Sequence, residues 1–396
     1  MHRKRHLISL LVCLLAPQIS WGLIVLDSRT STNNAFNTAA PTNGSPWSNV
    51  AQQERLVSGS PIVDSSAVYI GNGYVLTAAH TYGPTSVILD GVGYSVDTSF
   101  SAISFTPLDV RLYKILNPPA LPLIPLPDAA DGDLGTTCTM IGWGKGKGAI
   151  VTDKGWQWGD DSTKAKRWGT NTTQSTTMQL SYLAYSYNAT YTLFNAGRVN
   201  LTGQTEASAA MSDSGGGLFQ QFAGTWKLAG LLTLANYDTG LYPNGAALYD
   251  PATLGTYASY AVRMKDIANK LRYRQWKESH GIALAASTED DSDADGIGLL
   301  EEYAFGSDPA SGSPAVAPRA GIEGTDATLT YQIERTRTDL IIAVQESADL
   351  IGWTAANVTS TATLSDSGTI RTLKVKVPMG GAEKKFLRLH ITSLTN

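Results

Sequence analysis

The chain has 396 residues, of which 16% are charged and 42% hydrophobic, with 38 glycines. That length exceeds one ordinary domain, and the low charge with many small residues points away from long helices and toward short strands joined by turns. With the first 22 residues removed, 27 basic side chains face 34 acidic ones, a net charge of −7, which argues against a nucleic-acid partner.

Residues 1–22 read as a secretory signal. His2 to His6 is a basic stretch, Leu7 to Ala16 is apolar, and Ser20 and Gly22 are small residues at the −3 and −1 positions of a cleavage site. Ten apolar residues are too few to cross a bilayer, which takes ~20, and no later segment is long and apolar enough. The expectation is an exported, soluble protein without a transmembrane segment in its mature form. Cys13 leaves with the signal, so Cys138 stands alone and no intramolecular disulfide can form.

Strand-like runs then dominate as far as about residue 256: Ala67-Val68-Tyr69-Ile70, Tyr74-Val75-Leu76-Thr77, Val110 to Ile115 and Leu228 to Leu234. Short strands punctuated by Gly, Pro, Asn and Asp predict an all-β barrel or sandwich. From about Tyr257 to His280, apolar residues recur at Tyr260, Met264, Ile267 and Leu271, which predicts an amphipathic helix closing the first domain. The assignment is therefore a main domain over 23–283, a linker over 284–318 and an accessory β-sandwich over 319–396. In the last segment Leu329/Tyr331/Ile333, Leu373/Val375/Val377 and Leu387/Leu389/Ile391 alternate with polar residues, as half-buried strands do.

Three segments of the main domain carry chemistry. Thr77-Ala78-Ala79-His80 ends a buried strand; Asp109 leads the alternating strand Val110-Arg111-Leu112; Ser212-Asp213-Ser214-Gly215-Gly216 is a glycine-rich turn. A serine hydroxyl is a poor nucleophile at neutral pH and needs a base within reach. Imidazole is suited to that work, and a buried carboxylate fixes its tautomer. Beyond the signal the chain holds three histidines, and only His80 lies within the body of the domain. His80, Asp109 and Ser214 are the candidate base, orienting acid and nucleophile.

These segments resemble the signature blocks of the trypsin-like serine proteases. Gly142-Trp143-Gly144 is similar to that family's Gly-Trp-Gly turn, and Gly230 to Ala235 to its substrate-binding strand. The resemblance spans roughly residues 23–275. It implies a chymotrypsin-like fold of two six-stranded β-barrels with a closing helix, a secreted endopeptidase acting on protein or peptide, and no cofactor for catalysis. It assigns the oxyanion hole to the backbone N–H groups of Ser212 and Ser214, although the family has glycine where Ser212 stands. It places Ser208 at the base of the S1 pocket, with Thr233 and Ala235 at its border. A neutral Ser208 implies apolar or mid-sized P1 residues rather than Lys or Arg. The family's activating N-terminal amine pairs with the aspartate before the nucleophile, here Asp213. Cleavage after Gly22 would expose Leu23-Ile24-Val25 for that purpose.

Asp291-x-Asp293-x-Asp295-Gly296 followed by Glu302 fits a calcium-loop pattern. Asp291, Asp293, Asp295, the carbonyl of Ile297 and Glu302 would supply the oxygen ligands Ca2+ prefers, stiffening the joint between domains. The region from Asp291 to Pro309 and the strands after it resemble C-terminal modules of exported Gram-negative proteins, which implies association with the cell surface or sorting. Two further readings compete with the enzyme: a catalytically inactive protease-like binding or adhesion module, and a calcium-dependent surface protein. A serine hydrolase of the esterase type lacks support, because Ser212 replaces the first glycine of a G-x-S-x-G elbow and no β/α alternation is present.

Overall fold

The computed structural model describes residues 23–393 apart from 29, 129–130, 195–204, 236–244, 249–256, 313–315 and 338. The secretory signal assigned to residues 1–22 lies outside the described residues. The chain forms two compact units, one of Met1–Pro125 with Gly132–Arg263 and one of Leu126–Asp131 with Met264–Asn396.

The first unit is built on two antiparallel seven-stranded sheets, one strand more in each than the resemblance implies. Strands Val50–Val57, Ser60–Gly71, Tyr74–Thr77 and Arg111–Lys114 lie side by side at the centre of the first sheet. Its apolar positions, among them Ala51, Tyr69, Val75, Val87 and Tyr113, close one core. Strands Thr137–Gly142, Gly217–Phe222, Thr225–Ala235 and Ala258–Arg263 form the centre of the second sheet. Cys138, Met140, Leu218, Leu232 and Ala261 close a second core. Cys138 is an unpaired, buried core residue, and burial pushes its thiol up to about 12.

The helix departs from its sequence reading. It covers Lys265–Ser279, and the residues before it, Ala258–Arg263, are a strand. That strand is paired on one side with Tyr185–Leu193 and on the other with Thr225–Ala235. Tyr260 therefore belongs to the sheet, while Met264, Ile267 and Leu271 are buried as the periodicity requires. A spacing of 4, 3 and 4 fits a helix locally, but tertiary hydrogen bonding claimed the first turn for the sheet. The boundary between the units falls at Arg263, so this helix groups with the C-terminal unit rather than closing the first domain as far as residue 283.

The segment 284–318 is likewise no free linker. A second helix, Leu299–Phe305, buries Leu299 and Tyr303 against Trp276, and Ala304 and Phe305 against Leu329, Tyr331, Val375 and Leu389. Those strand residues come from a four-stranded sheet (Arg319–Glu323, Asp326–Glu334, Ile370–Pro378, Ser360–Asp366) and a three-stranded one (Thr354–Ala355, Leu340–Ser347, Phe386–Ser393). Among the described residues no helix is long and apolar enough to cross a membrane.

Candidate active site

Pairing register explains why two residues 29 apart meet. Thr77 is opposite Arg111 in the antiparallel pair Tyr74–Thr77 and Arg111–Lys114. His80, three residues beyond that pair, and Asp109, two before it, therefore leave the same end of the ladder. Asp109 is wholly buried and its carboxylate accepts twice from His80, from the backbone N–H at 2.8 Å and at ring Nδ1 at 2.6 Å. Arg111 anchors the loop that carries His80, donating to the carbonyls of Ala79 at 2.9 Å and Thr81 at 3.1 Å.

Ser214 arrives from the second sheet. Its Oγ lies 3.1 Å from His80 Nε2 and 3.0 Å from the carbonyl of Thr233. Ser66, on strand Ser60–Gly71, joins the serine turn to the first sheet. Its N–H donates to the Ser214 carbonyl at 2.9 Å, and its hydroxyl donates to the Ser212 carbonyl at 3.0 Å while accepting from the Trp143 N–H at 2.8 Å. Gly215 is required here: at φ +88° a Cβ would sit 2.0 Å from the Ser66 carbonyl oxygen.

Ser212 adopts φ +74°, the left-handed region that glycine occupies freely and serine only at a cost. Among the described residues, the N–H groups of Ser212 and Ser214 have no acceptor, whereas those of Asp213, Gly215 and Gly216 are bonded to the carbonyls of Ala210, Leu232 and Asp213. Two open donors flanking one turn are an arrangement able to receive a developing oxyanion.

Asp213 points the other way, into the protein. Its fully buried carboxylate accepts from the N–H groups of Gly144 at 2.7 Å and Ala210 at 2.8 Å, and the backbone N–H of Leu23 also lowers its pKa. Burial pushes it up to about 7, against the opposing pull of those donors and of the Arg167 charge. Leu23 to Leu26 are buried throughout, with Ile24 opposite Ser208 and Val25 opposite Ala207.

Two concavities meet at Ser214, and both include His80, Met211 and Ser212 in their walls. The larger, about 910 Å³, runs past Arg55, Asp64, Tyr82 and Lys164. The smaller, about 180 Å³, is lined by Trp158, Tyr182, Ala209, Ala210 and Leu232 to Ala235. Thr233 and Ala235 border this pocket, but Ser208 does not line it. Ser208 is paired with Ile24 in a buried two-stranded ladder, and Ala209, Ala210 and Trp158 take the wall instead. Sequence reasoning also missed Tyr182, whose ring meets His80 edge-on at 5.5 Å, together with Ser66 and Arg111. Tyr182 and Ser66 carry no local motif, and Arg111 lies within a signature segment without a role assigned to it there.

The acidic residues of the calcium-loop pattern converge in the C-terminal unit. One carboxylate oxygen from each of Asp291, Asp293 and Asp295 lies within 4.8 Å of the others, and Gly296 turns at φ +90°.

A family model described as Trypsin matches residues 36–252, more than half of the chain. The chain belongs to the trypsin family. Solved structures similar to this trypsin-family chain include the Rv3671c protease of M. tuberculosis in two forms. The inactive form is 13% identical, with 57% of this chain and 88% of that chain covered at a TM-score of 0.35. The active form is 13% identical, with 57% and 80% covered at a TM-score of 0.37. No curated protein sequence matches the chain.

Proposed function

We propose that this trypsin-family protein is an exported serine endopeptidase that hydrolyses peptide bonds through an acyl-enzyme intermediate. The observation that carries the reading is the unbroken path from buried Asp109 through His80 to Ser214, at 2.6 and 3.1 Å. With Nδ1–H donated to Asp109, the Nε2 lone pair is free to take the proton of Ser214 as its oxygen attacks the scissile carbonyl. The same imidazolium then protonates the leaving amine, and water completes the cycle by hydrolysing the ester. The N–H groups of Ser212 and Ser214 receive the oxyanion. Such a donor is worth ~3–4 kcal/mol of transition-state stabilisation.

The small pocket, walled by alanines, leucines and Trp158, favours small to mid-sized apolar P1 side chains. Removal of residues 1–22 on export would convert the Leu23 N–H into an ammonium facing the buried Asp213 carboxylate. The C-terminal unit would serve surface association or sorting.

A second reading, a protease-like module that binds without cleaving, draws on one observation. A serine hydroxyl has a single proton, and the Thr233 carbonyl competes with His80 for it at 3.0 Å. Labelling with a fluorophosphonate probe separates the two. Labelling abolished in Ser214→Ala and His80→Ala supports the enzyme. Folded protein of native N-terminus that stays unlabelled supports the binding module.

A further inference from the structure

The C-terminal unit holds a cluster of carboxylates that the proteolytic reading does not use. Like charges crowded together repel, and a cation between them relieves that repulsion. Two oxygens that each sit ~2.4 Å from one calcium ion can be at most about 4.8 Å apart. The oxygens offered by Asp291, Asp293 and Asp295 meet that limit.

Exposed acidic turns are common, so the deciding observation is a fourth group. Glu302, on the helix Leu299–Phe305, is 1% exposed, and its Oε2 has no hydrogen-bond partner. The neighbouring charges that bear on it are those of Asp293, Asp295 and Asp291, so it lies in the field of the cluster. Both oxygens of Asp293 are also sealed from water and bonded to nothing. Buried carboxylate oxygens without donors are strongly unfavourable unless a cation satisfies them.

The remaining hydrogen bonds shape the loop. Asp291 accepts from the N–H groups of Asp295 at 3.2 Å and Gly296 at 2.8 Å, and Asp295 accepts from that of Ile297 at 2.9 Å.

We propose that Asp291, Asp293, Asp295, the backbone carbonyl of Ile297 and Glu302 bind one Ca2+ ion, and that this ion holds the C-terminal unit's core together. An all-oxygen set with several carboxylates does not suit zinc, which takes mainly nitrogen and sulfur. It also disfavours Mg2+, which keeps much of its water. Coupling to the core runs through two residues. Ile297 would give its carbonyl to the ion while its side chain packs with Phe305 and Leu329; Glu302 is followed directly by the buried Tyr303 and Ala304. Binding therefore fixes the loop against the helix, and through the helix the sheets behind it.

The test is calorimetric titration of CaCl2 into chelator-treated full-length protein carrying Ser214→Ala to prevent self-digestion. Thermal unfolding is followed with and without the ion. The expected result is one Ca2+ per chain, a higher unfolding midpoint in its presence, and at least about tenfold weaker binding in Asp293→Asn and Glu302→Gln. These near-isosteric changes keep shape while removing charge. Titration of the parent protein decides the question even if a variant fails to fold. Absence of binding up to millimolar Ca2+, equal affinity for Mg2+, or unchanged binding in both folded variants would overturn the proposal.

Discussion

The backbone N–H of Leu23 lies in the field of the carboxylate of Asp213, the residue immediately before Ser214, and both residues are buried. The N-terminal end of the described chain is thereby tied to the turn that carries the candidate nucleophile.

The charge state of that contact sets the first prediction. In a chain still joined through Gly22, Leu23 offers only a neutral N–H, and burial holds Asp213 up at about 7 against an ordinary 3.8. A folded-state pKa raised above the unfolded one contributes stability that is full at low pH and lost as pH rises from about 4 through about 7. A free Leu23 amine reverses this by pairing with ionised Asp213: its contribution is lost as acid protonates the carboxylate, and again as pH climbs past the amine's own titration. Thermal midpoints of the Ser214→Ala protein, with and without residues preceding Leu23, should diverge between pH 5 and pH 7. Parallel curves would dissociate Leu23 from Asp213.

Asp213→Asn in the processed protein leaves a buried ammonium unpaired. Breaking a buried pair in this way costs about 3–5 kcal/mol. We expect the rate of fluorophosphonate labelling to fall by about 100-fold or more while folded structure, followed by circular dichroism, persists.

Ser66 is predicted to matter although it touches no substrate position. Ser66→Ala removes the donor to the Ser212 carbonyl and the acceptor of the Trp143 N–H. Each such bond is worth about 1 kcal/mol net. The expected effect is a roughly tenfold fall in kcat/KM expressed mainly in kcat, since the turn bearing the two proposed oxyanion donors loses its tether. A change confined to KM would contradict it.

Ser212→Gly relieves a left-handed backbone that serine adopts at a cost of about 1–2 kcal/mol. Glycine's greater unfolded-state entropy offsets part of this, so urea unfolding should show a gain of about 1 kcal/mol or less with activity retained. Ser212→Val should destabilise and inactivate together, because a β-branched residue fits this region worst.

Trp158 lines the smaller pocket. Its ring lies where a Cβ on Gly245 would come within 2.1 Å. Trp158→Ala should shift P1 preference toward phenylalanine, raising its kcat/KM relative to alanine substrates by about 10-fold or more. Unchanged preference would remove Trp158 from the specificity determinants.

Much of this site is legible as chemistry in short segments. His80, Asp109 and Ser214 are readable because each sits in a local context that its candidate role demands: small residues after a strand, a carboxylate entering one, a glycine-rich turn. The alternations at Leu329/Tyr331 and Leu373/Val375 are readable because a half-buried strand imposes a period of two. Periodicity finds the helix over 265–279 but not its first boundary, since Tyr260 matches both a helical spacing and a strand.

What the linear chain leaves open depends on which distant side chains meet. The partnership of Ser66 with Ser212 spans 146 residues, and Ser66 is an ordinary strand serine until two sheets bring it against the turn. Ser208 lies six residues before Ser214, yet the ladder with Ile24 draws it away from the pocket and leaves the wall to Trp158. Glu302 is legible by spacing, whereas its burial beside three aspartates follows from a helix docked on a core. Sequence determined which reactive groups exist and their local geometry; the tertiary structure decided their neighbours, because pocket shape and burial are properties of packing between elements.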